Sequence, residues 1–140
     1  MRKAKIHYSS NFLTNVIFKI DFPKVLELGV GKAPFEFQNK IKDRFPVLEE
    51  TPGKFVEFAV PKTVKDDLKI TQEEVTKWDF YNKERTKAIV VTPNFISLEY
   101  LNYYNSFDEF LGDIDYGVKL FFDMYDVIKV INRMGLRYIN

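Results

Sequence analysis

The amino-acid sequence predicts an α+β domain in which a largely antiparallel sheet of about five to six strands carries two helices on one face, in the order β-α-β-β-β-β-α-β. Three observations lead there. Short runs alternate apolar and polar residues, two stretches repeat apolar residues at spacings of three and four, and prolines close several of the runs.

From Phe12 to Phe22 the residues Phe12, Val16, Phe18, Ile20 and Phe22 fall on even positions, the period of a half-buried strand that Pro23 stops. Pro34 suits a first helical turn, and Phe37, Ile41 and Phe45 at spacing four line one side of a short helix ended before Pro46. Thr51-Pro52-Gly53 reads as a turn opening a strand through Val56, Phe58 and Val60. The polar stretch from Lys62 to Thr76 reads as a long surface connection. Three short strands are then expected near 77–82, 87–92 and 95–101, separated by Lys83-Glu84-Arg85 and Thr92-Pro93-Asn94.

The strongest signal is the stripe Phe107, Phe110, Leu111, Ile114, Val118, Phe121, Phe122 and Tyr125, the buried side of an amphipathic helix. Ser106 and Glu109 form a capping box at its start, and Gly112 and Gly117 inside it point to close packing against a neighbour. A last strand is expected from Val127 to Ile139, with Ile128, Val130, Met134, Leu136 and Tyr138 on one face.

Composition narrows the function classes. A chain of 140 residues with 46% hydrophobic and 16% aromatic residues has the size and apolar content of a single domain, so residues 1–140 are expected to fold as one unit. The absence of cysteine removes disulfides, thiolate metal sites and cysteine nucleophiles, and no apolar run is long enough for a membrane span. A cytoplasmic protein without cofactor or membrane contact is expected. Net charge is +1, but residues 1–44 hold nine Lys/Arg against four acids, and residues 99–126 hold seven acids against Lys119. Such opposed fields suit either self-association or two solvated faces.

Candidate sites are few. Gly29-Val30-Gly31-Lys32 fails as a phosphate loop, because Leu26 stands where the first glycine is needed and Ala33 where the hydroxyl belongs. His7 is the single histidine and is expected at the surface. The acids Asp108, Glu109, Asp113, Asp115, Asp123 and Asp126 are expected on a solvated helix face, with Asp115, Lys119 and Asp123 at alternating sign, and no metal is expected there.

One constellation stands out. Strand parity places Lys129, Arg133, Gly135 and Arg137 on the sheet face away from the helices, and Lys19 and Tyr81 join them. Gly135 leaves room for a ligand or another backbone between two guanidinium groups, and basic and aromatic residues on an open sheet are one way to hold single-stranded nucleic acid. The plainer expectation is that Asp21, Glu57, Asp79 and Glu99 neutralise these cations across the sheet.

The chain also resembles a known family. RMGLRYIN at Arg133 to Asn140, VIFKIDF at Val16 to Phe22, RFPVLEE at Arg44 to Glu50, WDF at Trp78 to Phe80 and ISLEYLNYYNSFDEF at Ile96 to Phe110 are similar to a sporadically distributed prokaryotic family of uncharacterised proteins. Its members continue well beyond the Gly-Leu-Arg-Tyr-Ile-Asn segment, so the resemblance implies the N-terminal half of a longer protein, or a short member. It implies no transferable activity. The leading expectation is therefore a non-catalytic binding or assembly domain that self-associates or takes another protein as partner. A nucleic-acid-binding module is the alternative, and an enzyme, with a carboxylate such as Asp79 or Glu99 meeting an arginine, is third.

Overall fold

The computed structural model describes residues 15–28, 33–57 and 71–139, with 52–57 and 71–76 described as backbone. His7 and the Gly29 to Lys32 loop lie outside the described residues. The strands are β1 (Asn15–Asp21), β2 (Val47–Glu57), β3 (Thr71–Tyr81), β4 (Lys87–Val91), β5 (Phe95–Leu101) and β6 (Arg133–Ile139). The helices are α1 (Phe35–Ile41) and α2 (Phe107–Met124). The element order is the expected one, and all six strands form one antiparallel sheet in the order β2-β3-β4-β5-β1-β6.

The helices sit on the face presented by Val16 and Ile20 of β1, Trp78 and Phe80 of β3, Ile89 and Val91 of β4, and Ile96, Leu98 and Tyr100 of β5, all buried. Their apolar stripes close over this face through Phe37 and Ile41 of α1 and Phe110, Val118 and Phe121 of α2. The rings of Phe37 and Phe121 meet edge to face at 5.5 Å, and Phe37 meets Phe80 at 5.7 Å. Such aromatic pairs add to the burial of their area. The chain leaving β1 is pinned over the β4–β5 turn, where Phe22 N and Val25 N donate to Asn94 O and Pro93 O at 2.9 and 2.8 Å.

The two helix glycines differ. A Cβ on Gly117 would lie 2.5 Å from Ile89 Cδ1, so this glycine lets α2 approach β4, whereas a Cβ on Gly112 would meet nothing within 4 Å. The start of α2 carries half of the expected capping box: Ser106 Oγ accepts from Glu109 N at 3.1 Å. The Glu109 carboxylate instead accepts from Tyr103 OH and pairs with Lys87 Nζ at 2.7 Å.

Three boundaries differ from expectation. Thr51-Pro52-Gly53 is no turn, because β2 runs through it opposite Val75 to Lys77 of β3. An edge strand tolerates a proline that lacks a ladder donor. For the same reason β3 begins at Thr71, inside the expected surface connection. At the other end, β6 starts only at Arg133, and Val127 and Val130 belong to the irregular return from α2.

That return has a consequence for packing. Among the described residues α2 covers β1 and β5 but leaves the helix-side face of β6 open, with Met134, Leu136 and Tyr138 exposed at 62%, 45% and 49%. The even residues of β6 are apolar without being core.

Candidate functional site

The opposite face of the sheet is built from three rows of cross-strand partners. In the middle row Asp79, Val90, Ser97, Lys19 and Gly135 follow one another across β3, β4, β5, β1 and β6. On one side lie Tyr81, Ala88, Glu99, Ile17 and Arg137, and on the other Phe95, Asp21 and Arg133. Gly135 has no side chain and a Cβ there would meet nothing within 4 Å, so the middle row sinks between its neighbours. The result is a groove of about 410 Å³ over the middle row, with Ile17, Lys19, Ser97, Glu99, Arg133 and Arg137 among its lining residues.

The floor carries buried polar groups beside Val90 and Ile17. Ser97 is buried and its hydroxyl donates to Glu99 Oε2 at 3.1 Å. Burial raises the Glu99 carboxyl above the ordinary range, a shift that the Ser97 bond and the charges of Lys77 and Lys19 oppose only in part. Beyond it, Asp79 is buried, takes Lys77 Nζ at 3.5 Å and Tyr81 OH at 3.3 Å on Oδ2, and has no partner for Oδ1 among the described residues. Burial and the Asp79 charge raise the Tyr81 phenol.

The cations divide into two kinds. Lys19 sits 3.6 Å from Asp21 and 4.2 Å above the Phe95 ring, and Lys77 is paired with Asp79. Arg133 and Arg137 are exposed and make no ion pair or hydrogen bond among the described residues, although Asp21 is the cross-strand partner of Arg133. The two lysines are thus neutralised by acids two residues along their own strands, and the expected neutralisation across the sheet is found for neither arginine among the described residues. The side chain of Glu57 lies outside the described residues.

Of the candidate residues, Lys19, Arg133, Gly135 and Arg137 are brought together at the groove. Tyr81 shares the face but stands four strands from Arg137, about 19 Å at the usual strand separation. Lys129 is a correction: it precedes β6, where strand parity does not apply, and lines a separate depression with Pro23, Leu26, Val127 and Val130. Glu99 and Arg137 share one row of the groove with Ile17 between them.

A second polar cluster escaped the sequence reading. Asp113 on α2 is buried rather than solvated, and accepts from Arg44 Nη2, Tyr100 OH and, at 2.8 Å, Lys87 Nζ. Burial alone would lower the Lys87 ammonium pKa, but its bonds to Asp113 and Glu109 raise it overall; burial and the bond to Asp113 raise the Tyr100 phenol. This network ties the end of α1 to β4, β5 and α2. The signal for it was phase: Asp113 lies three residues after Phe110 and four before Gly117, on the buried side of the helix. Asp115, Lys119 and Asp123 are exposed as expected.

Among the described residues no group of three or more His, Cys, Asp or Glu is placed to hold a metal ion, and no helix is long and apolar enough to cross a membrane. No protein-family model, curated protein or solved structure matches the chain.

Proposed function

We propose that this domain is a non-catalytic assembly module that forms a homodimer by pairing β6 with β6 of a second copy across a two-fold axis. The contrast between the two edges of the sheet formed by the described residues carries the reading. The β2 edge contains Pro52 and Gly53 and the charged residues Glu49, Glu50, Lys54 and Glu57, the devices that keep an edge from pairing. The seven residues of β6 contain no proline, both of their charges point to one face, and the other face is the exposed stripe Met134, Leu136 and Tyr138.

The stripe is self-complementary in one register. A two-fold between antiparallel strands must preserve side-chain parity, so it passes through a residue rather than between two. Centred on Leu136 it pairs all seven residues, placing Leu136 against itself and Met134 against Tyr138 on the apolar face. On the other face Arg137 then stands opposite Gly135, and Arg133 opposite Ile139. Moving the axis to Gly135 sets Arg133 opposite Arg137, and moving it to Arg137 sets that residue against itself; like charges directly opposite destabilise a pair.

Size-exclusion chromatography with light scattering tests this. The parent is expected at twice 16.6 kDa, and Leu136→Glu, which places two carboxylates at the axis, is expected to weaken the dimer about tenfold or more. The register has its own readout, since the chain has no cysteine: Leu136→Cys is expected to form an intermolecular disulfide on mild oxidation, and Met134→Cys is not. A parent that is monomeric at every concentration refutes the proposal.

A further inference from the structure

We infer that the groove above Gly135 is a binding site for a small organic anion with a hydrogen-bond-donating end, the anionic group lying among Lys19, Arg133 and Arg137 and the donor end toward Ser97 and Glu99. The site belongs wholly to one chain and does not rest on the dimer.

Four observations converge on it. First, Gly135 has no side chain to fill the groove, and a Cβ there would meet no atom within 4 Å, so no side chain among the described residues occupies the gap. Second, the gap is flanked along the strand by two guanidinium groups without partners among the described residues, and across it stands Lys19. Guanidinium groups make their strongest hydrogen bonds to carboxylate and phosphate oxygens. The Cα atoms of Arg133 and Arg137 lie about 13 Å apart with Gly135 midway, so each arginine is within side-chain reach of an anion seated above Gly135 beside Lys19. Third, the deeper part of the groove changes sign. Ser97, 2% exposed, holds Glu99 from below, and the carboxylate oxygens are acceptors that suit an amine or amide. Fourth, a volume of about 410 Å³ lies within the usual range for small-molecule sites.

The alternation of sign selects the class of ligand. A polyanion laid along Arg133 and Arg137 would pass Asp21 on the row of Arg133 and Glu99 on the row of Arg137. A compact molecule with one anionic end avoids that repulsion and uses both signs. Phosphate and carboxylate share the recognising chemistry, so the test carries both.

Uniformly 15N-labelled protein is titrated separately with 5′-AMP, with L-glutamate and with a twelve-residue oligothymidylate. Saturable shifts from AMP or glutamate centred on Lys19, Glu99, Gly135 and Arg137 are expected, and which probe saturates assigns the anion as phosphate or carboxylate. Arg137→Gln is expected to weaken that binding about tenfold or more. Gly135→Leu, which has space to fold, is expected to abolish it while the remaining spectrum is retained. Absence of saturable shifts from both small probes at millimolar concentration overturns the inference. Salt-steep binding of the oligothymidylate in place of the small probes also overturns it, and makes the face a nucleic-acid surface instead.

Discussion

Replacing Asp113 with Ala removes the acceptor on which α1, β4, β5 and α2 converge. The Arg44 side chain is 47% exposed and recovers water when its partner is lost, so its share is within about 1 kcal/mol. Tyr100 is fully buried, and leaving its hydroxyl without an acceptor costs about 1–3 kcal/mol. Lys87, 17% exposed, keeps Glu109 but loses half of its compensation, adding about 1 kcal/mol more. The sum is about 2–5 kcal/mol, which overlaps the usual cost of about 3–5 kcal/mol for breaking a buried pair by removing one partner. Urea unfolding is expected to show it as a lower midpoint at unchanged slope, and thermal unfolding as a drop of about 3 °C per kcal/mol. Asp115→Ala, two residues along the same helix and exposed, is expected to stay within about 0.5 kcal/mol. Asp113→Leu combined with Lys87→Met is expected to recover much of the loss, since an apolar pair of similar volume leaves fewer buried charges. A cost below about 1 kcal/mol for Asp113→Ala refutes the account, because buried donors would then have found other partners.

The two helix glycines are expected to respond with opposite sign. Gly112→Ala should gain about 0.5–1 kcal/mol from helix propensity, and Gly117→Ala should lose about 1–3 kcal/mol as Ile89 is pushed aside; equal signs in chemical denaturation would remove the close approach of α2 to β4 as the explanation. Glu99→Gln tests the raised carboxyl. A folded pKa above the unfolded one contributes stability that is present below the unfolded value and lost as pH rises through the folded value. The Gln variant is therefore expected to be more stable than the parent at pH 7 and equal to it well below the ordinary carboxylate range, and a stability difference independent of pH would count against burial as the cause.

What could be read from the residues was whatever strand parity and helical period control. Val16 and Ile20 of β1, Trp78 and Phe80 of β3, the even positions of β5 and Phe110, Val118 and Phe121 of α2 are apolar because they face one core, and that gave the element order and the helix-bearing face, although Phe107 and Leu111 of the same helix stripe are exposed. Parity says nothing about where a strand starts in space. Pro52-Gly53 has the chemistry of a turn and becomes part of an edge strand because β3 is long enough to pair past it. Ile128 and Val130 continue the even parity of β6, yet the chain has only just left α2 there, with Ile128 N bonded back to Tyr125 O, and Lys129 is lost to the groove for that reason. Asp113 was misplaced by residue type: its phase on the helix outweighs its charge once Lys87 and Tyr100 stand beneath it.

β6 differs from the other five strands in what constrains it. In a strand with helices above it, one side is fixed by packing and the other by solvent, and the backbone is consumed by two neighbours. β6 has one strand neighbour among the described residues and no helix over it, so none of those constraints applies fully. Its odd residues wall the groove, its even residues form an apolar stripe, and its outer backbone groups are open to a partner. Gly135 connects the two proposals: the absent side chain opens the groove within one chain, and in the register centred on Leu136 it leaves space opposite Arg137 of the second chain. Arg137 then reaches across the seam without facing its own copy directly, and a ligand and a second copy place compatible demands on the same seven residues.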